Sequence, residues 1–79
     1  IDLAEPSVHY NAGLILAGRN ELTQAADLFR QAIIIQPGFA DAHMRLAQVL
    51  VLQGKQDEAL PYFNEATRLK SIGAASRMQ

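Results

Sequence analysis

Two stretches decide how this chain folds: Ala25-Ala26-Asp27-Leu28-Phe29-Arg30-Gln31-Ala32 and Ala59-Leu60-Pro61-Tyr62-Phe63-Asn64-Glu65-Ala66. Laid over one another they match at Ala25/Ala59, Phe29/Phe63 and Ala32/Ala66, at an offset of 34 residues. Extended without a gap, that offset pairs His9 with His43, Leu16 with Leu50, and Ile35 with Leu69. Gly13 meets Ala47, both small. Asn20 meets Gly54, the residue types that best tolerate the left-handed conformation closing a helix. Thr23 meets Asp57, both good helix N-caps. An offset that preserves core and turn chemistry together marks an internal repeat.

Each copy reads as two helices. The first runs from about Ser7 to Arg19, with Pro6 suited to its first turn and Asn20 as its stop. The second runs from about Gln24 to Gln36, capped by Thr23 and ended by Pro37-Gly38. Its apolar residues Ala25, Leu28, Phe29, Ala32 and Ile35 recur at three- and four-residue steps and so share one face. Copy two gives helices over about Asp41 to Gln53 and about Glu58 to Lys70, separated by Gly54 and capped by Asp57. Pro61 is read as sitting one turn into the last helix, where it sacrifices little. Of the run Ile33-Ile34-Ile35, Ile33 and Ile35 belong to the core stripe and Ile34 points outward, a candidate contact with another subunit or domain.

The composition sets limits. With 79 residues the chain is one domain at most. Its net charge of −1 supplies no basic excess for nucleic acid. Hydrophobic residues make up 49%, too many for a disordered tail. There is no cysteine, hence no disulfide, thiolate nucleophile or cysteine-based zinc site. No apolar run approaches the length of a membrane span. Nothing in the residues selects a compartment.

At Gly13, Ala25, Phe29, Ala32 and Pro37 in copy one, and Leu46, Ala47, Gly54, Ala59, Phe63 and Ala66 in copy two, the chain resembles the tetratricopeptide repeat family. The resemblance covers about residues 6–71. It implies an all-α fold of antiparallel helical hairpins stacked as a superhelix, with repeat one at about 6–39 and repeat two at about 40–73. Histidine replaces the usual early aromatic at His9 and His43, leucine the mid-helix aromatic at Leu16 and Leu50, and Ser71 the closing proline of copy two. Small residues let the hairpins approach, and Phe29 and Phe63 fill what space remains. Run outward, the register places Ile1 at the tail of an earlier helix and Ala74–Met78 at the start of a later one. Residues 1–5 and 74–79 are therefore expected to be stubs of flanking repeats or tails, in a chain cut from a longer array. In an alternative, the last helix runs on through Ile72 toward Gly73 and the tail caps the stack.

The resemblance also implies a concave groove lined by the first helix of each repeat. Its partner-binding residues would be Tyr10, Asn11 and Leu14, with Ala17, from copy one. From copy two they would be Met44, Arg45 and Gln48, with Val51 and Leu52. A lysine–asparagine clamp for peptide C-termini, known in some members, does not carry over, because Tyr10 and Leu14 stand at its places. The expected function is a non-enzymatic module that binds a protein or peptide partner in this groove. The alternative is a structural spacer that stacks or dimerises through its repeat ends. No catalytic residues, metal ligands or cofactors are assigned. No Ser/His/Asp set, phosphate loop or zinc spacing occurs, Asp57-Glu58 reads as a helix start, and His9 and His43 read as packing residues rather than a metal or acid–base pair.

Overall fold

The computed structural model describes residues 4–77, with side chains for residues 4–72. The expectations placed on Ile1 and Met78 lie outside the described residues. Four helices follow one another: α1 (Pro6–Gly18), α2 (Leu22–Ile35), α3 (Ala40–Leu52) and α4 (Gln56–Arg77). α1 packs on α2, α2 on α3 and α3 on α4, so α2 joins the two hairpins.

Both hairpin turns are made alike. Glu21 N–H reaches Leu16 O at 2.9 Å, and Asn20 N–H reaches Ala17 O at 3.0 Å. In the second copy Lys55 N–H reaches Leu50 O at 2.8 Å, and Gly54 N–H reaches Val51 O at 2.9 Å. This pair of bonds satisfies carbonyls that the helix end would leave orphaned, and it requires positive φ at the turn residue. Asn20 adopts φ 60° and Gly54 φ 78°, as their pairing at the repeat offset implied.

The helix starts differ from those read in the sequence. Thr23 and Asp57 are not N-caps; both lie inside their helices. The Schellman turn delivers the chain into the next helix at once, so the backbone fixes the start rather than a side-chain oxygen. Glu21 takes the cap position of α2 without a side-chain bond. The Thr23 hydroxyl instead accepts a 3.4 Å bond from Gln53 Nε2, tying the start of α2 to the end of α3. Asp57 stays useful as an acid in the first turn of α4, where it complements the helix dipole. The earlier start also moves Pro61 past the first turn, where it removes an N–H that would have reached the Asp57 carbonyl.

α4 continues unbroken to Arg77. The register would place a turn near Ser71-Ile72, opposite Pro37-Gly38 of copy one, but neither residue deletes a donor or favours positive φ. The chain therefore runs on as one helix past Ile72.

The core is built from Ala25, Ala26 and Phe29 of α2, Leu46, Ala47, Val49 and Leu50 of α3, and Ala59 of α4. Ala32 and Ala66 are fully buried at matching places. Ile33 packs on this core and Ile34 is 78% exposed, as expected. Ile35 is not core: it is 38% exposed, because it ends α2 where the chain turns away at Gln36.

Position within the stack decides burial more than residue type does. Val49 is 3% exposed, whereas Ile15, its repeat equivalent on the outer α1, is 62% exposed. Ala26 is 2% exposed under α3, whereas Leu60, its equivalent on the outer α4, is 58% exposed. Phe29 is fully buried, Phe63 only half-buried.

Candidate functional site

α1 and α3 are the first helices of the two hairpins, and a groove runs beside them. Leu14, Ala17 and Gly18 line it from α1, Arg45, Gln48, Val49 and Leu52 from α3, and the ring of Phe29 contributes from α2. Its walls are apolar apart from Arg45 and Gln48. Leu52, 69% exposed, leaves a large aliphatic surface in water.

The polar edge is tied across the two helices. Arg45 Nε donates to the Tyr10 hydroxyl at 3.4 Å, and Arg45 Nη1 donates to Gln48 Oε1 at 3.3 Å. Both contacts are longer than a good N–H···O bond, so they orient the guanidinium without saturating it. Tyr10 is held from below: its ring centroid lies 5.7 Å from that of Phe29 and 4.9 Å from that of Phe39. The first residue of the groove edge is therefore also a packing residue.

Of the six residues expected to bind a partner, Leu14, Arg45 and Gln48 line the groove and Tyr10 joins them through Arg45. Asn11 is exposed on α1 and Met44 is half-buried on α3, and neither lines this groove. Val51 is 37% exposed and also stands outside its lining. Gly18, Val49 and the Phe29 edge were missed, as was Phe39, the platform under Tyr10. Phe39 carries no repeat signal, since Glu5 stands at its equivalent place. The only clue was a lone aromatic just after Pro37-Gly38.

The two histidines sit on different helices, His9 on α1 and His43 on α3. His43 is buried, and its Nε2 lies 2.8 Å from Pro37 O. A carbonyl only accepts, so Nε2 carries the proton and pins α3 to the turn between the hairpins. The His43 ring also lies 6.0 Å from that of Tyr62 on α4. His9 is half-buried on α1. Among the described residues no group of three metal-ligating side chains occurs, and no helix is long and apolar enough to cross a membrane.

Two nested helical hairpins, with small residues at the crossings and an open face on the first helices, define an α-helical repeat solenoid. The chain belongs to the tetratricopeptide repeat family, whose signature matches residues 10–72. Among solved structures it is similar to the crystal structure of MamA, with 26% identity and a TM-score of 0.89 over 94% of this chain and 43% of that one. It is likewise similar to MamA MSR-1 C2 (25% identity, TM-score 0.86, 91% of this chain and 41% of that one). A further structure, MamA AMB-1, matches with 26% identity and a TM-score of 0.85 over 89% of this chain and 38% of that one. The chain thus spans less than half the length of these solved chains. No curated protein matches its sequence. The fold it shares with this family is in general a protein–protein interaction module.

Proposed function

We propose that the chain is a non-enzymatic interaction module whose groove beside α1 and α3 receives a peptide segment of a partner protein. The observation that carries this reading is the groove itself: an apolar floor of Leu14, Ala17, Val49 and Leu52 with Arg45 and Gln48 at its edge. Water-exposed aliphatic surface beside an oriented arginine has the composition of a recognition hot spot. Helical walls give such a site rigidity that a loop would lack.

A second reading, a structural spacer that self-associates, draws on a different surface. Ile34 stands exposed beside Ile33, Arg30 and Tyr62, in a shallow apolar depression between α2 and α4. Ile15 and Leu60 add exposed apolar surface at the two ends of the stack.

Partner capture and sedimentation of the same variants separate the two. Leu52→Ser with Arg45→Ala abolishes partner binding and leaves the oligomeric state unchanged if the groove works. Ile34→Glu does the reverse if the chain is an assembly element. Tyr10→Phe is preferable to Tyr10→Ala, because it deletes the hydroxyl that meets Arg45 and keeps the ring on Phe29 and Phe39.

A further inference from the structure

The charge distribution around the groove carries information about its occupant. Four of the described cations lie beside a carboxylate: Arg19 by Glu21 at 3.7 Å, Arg30 by Asp27 at 3.6 Å, Lys70 by Asp41 at 3.5 Å, and Arg68 by Glu65. Arg45 does not. Its guanidinium rests on two neutral oxygens, the Tyr10 hydroxyl and Gln48 Oε1, through long contacts. Among the described residues it is the only charged one lining the groove, so a local positive charge stands there in a chain whose net charge is −1.

A guanidinium offers five N–H donors in a planar fork. Two weak neutral contacts fix its plane and leave donors for a carboxylate, which can accept two of them side by side. Immediately beside it, Leu14, Val49 and Leu52 form a slot for an aliphatic side chain. The groove is thus complementary to a carboxylate and an aliphatic group presented together.

We propose, resting on the groove reading above, that the bound segment carries an aspartate or glutamate that pairs with Arg45. A neighbouring aliphatic side chain of the same segment fills the slot between Leu14 and Leu52. The carboxylate comes from a side chain and not from a chain terminus. A terminal carboxylate is held by clustered backbone N–H groups or helix N-termini, or by a side-chain clamp such as the lysine–asparagine pair whose places Tyr10 and Leu14 occupy here. Here the walls are the interiors of α1 and α3, whose amides are committed to their own helices.

The test uses short synthetic peptides with amidated C-termini: alternating Leu-Glu, Leu-Gln, Leu-Lys and Ser-Glu. Binding to the 79-residue chain is followed by amide NMR shifts and by fluorescence anisotropy. The Leu-Glu peptide is expected to move the signals of Leu14, Arg45 and Leu52. It binds about tenfold more tightly than Leu-Gln, the size of a charge-assisted hydrogen bond. Arg45→Gln removes that preference and Leu52→Ser weakens both peptides; both side chains are exposed, so the fold survives the changes. Equal binding of Leu-Gln, or tighter binding of Leu-Lys, at the same residues overturns the carboxylate assignment and leaves the groove standing. A free-acid Leu-Gln peptide matching Leu-Glu overturns the choice of side chain over terminus. If no peptide moves groove signals, both the inference and the groove reading fall.

Discussion

Gly13 on α1 lies against the ring of Phe29 on α2: a Cβ added at Gly13 would stand 2.7 Å from Phe29 Cε1 and 2.9 Å from Cδ1. Phe29 is fully buried among α1, α2 and α3, so its ring can yield only by disturbing that packing or by shifting toward the groove it lines. Gly13→Ala gains about 1 kcal/mol of helix propensity and loses about 1–3 kcal/mol to overpacking. The expected result is a net loss near 1 kcal/mol in urea unfolding. Gly18→Ala, with nothing within 4 Å of the added Cβ, serves as the control and is expected to stabilise.

The matched turns give a second prediction. Gly54→Ala places a Cβ at φ 78° and costs about 1 kcal/mol. Asn20→Gly keeps the same left-handed turn and changes stability by no more than about 0.5 kcal/mol. Thermal unfolding of the two variants checks both values. Equal losses in the pair would mean that the turns do not act alike.

Phe29 and Phe63 occupy equivalent places with unequal cover. Phe29→Ala removes a fully buried ring and costs about 3–5 kcal/mol. That is a large share of the roughly 5–10 kcal/mol available to a domain of this size. Phe63→Ala is expected to cost about half as much. Circular dichroism of the two variants at one temperature distinguishes a largely unfolded chain from a folded one.

Glu65 accepts a 2.8 Å bond from Arg68 Nε, one helical turn away, and this bond holds its carboxyl below the ordinary carboxylate range. A carboxyl lowered in the folded state stabilises above its unfolded value and loses that contribution as pH falls through its folded value. Glu65→Gln therefore lowers Tm at neutral pH, and the gap to the parent chain closes in acid. Added salt narrows the gap as well, because the pair is exposed. A gap that persists at low pH would assign the effect to something other than charge.

The repeat made most of the fold legible. A gapless offset located four helices, two left-handed turns and the buried positions Ala25, Phe29, Ala32, Ala59 and Ala66. It misjudged where α2 and α4 begin, because backbone bonds such as Glu21 N–H to Leu16 O set those starts and leave no mark on residue type. It also treated equivalent residues as equally buried, which Val49 and Ile15 contradict. For the groove, the family resemblance pointed to the first-helix face, and so to Leu14, Arg45 and Gln48. It did not separate residues facing the groove from Asn11 and Met44 beside it. That distinction depends on how α1 and α3 lie relative to each other, which no single helix encodes.

The central claim is that the first-helix face grips a partner. Site-specific photocrosslinking in cells tests it directly, with p-benzoylphenylalanine placed at Gln48 or Leu52 in the groove and at Gln31 or Ile34 on the second helix. One discrete adduct with the same partner is expected from both groove positions, lost on Arg45→Glu, and none from Gln31 or Ile34. Adducts from Ile34 alone, or from all four positions alike, would contradict it.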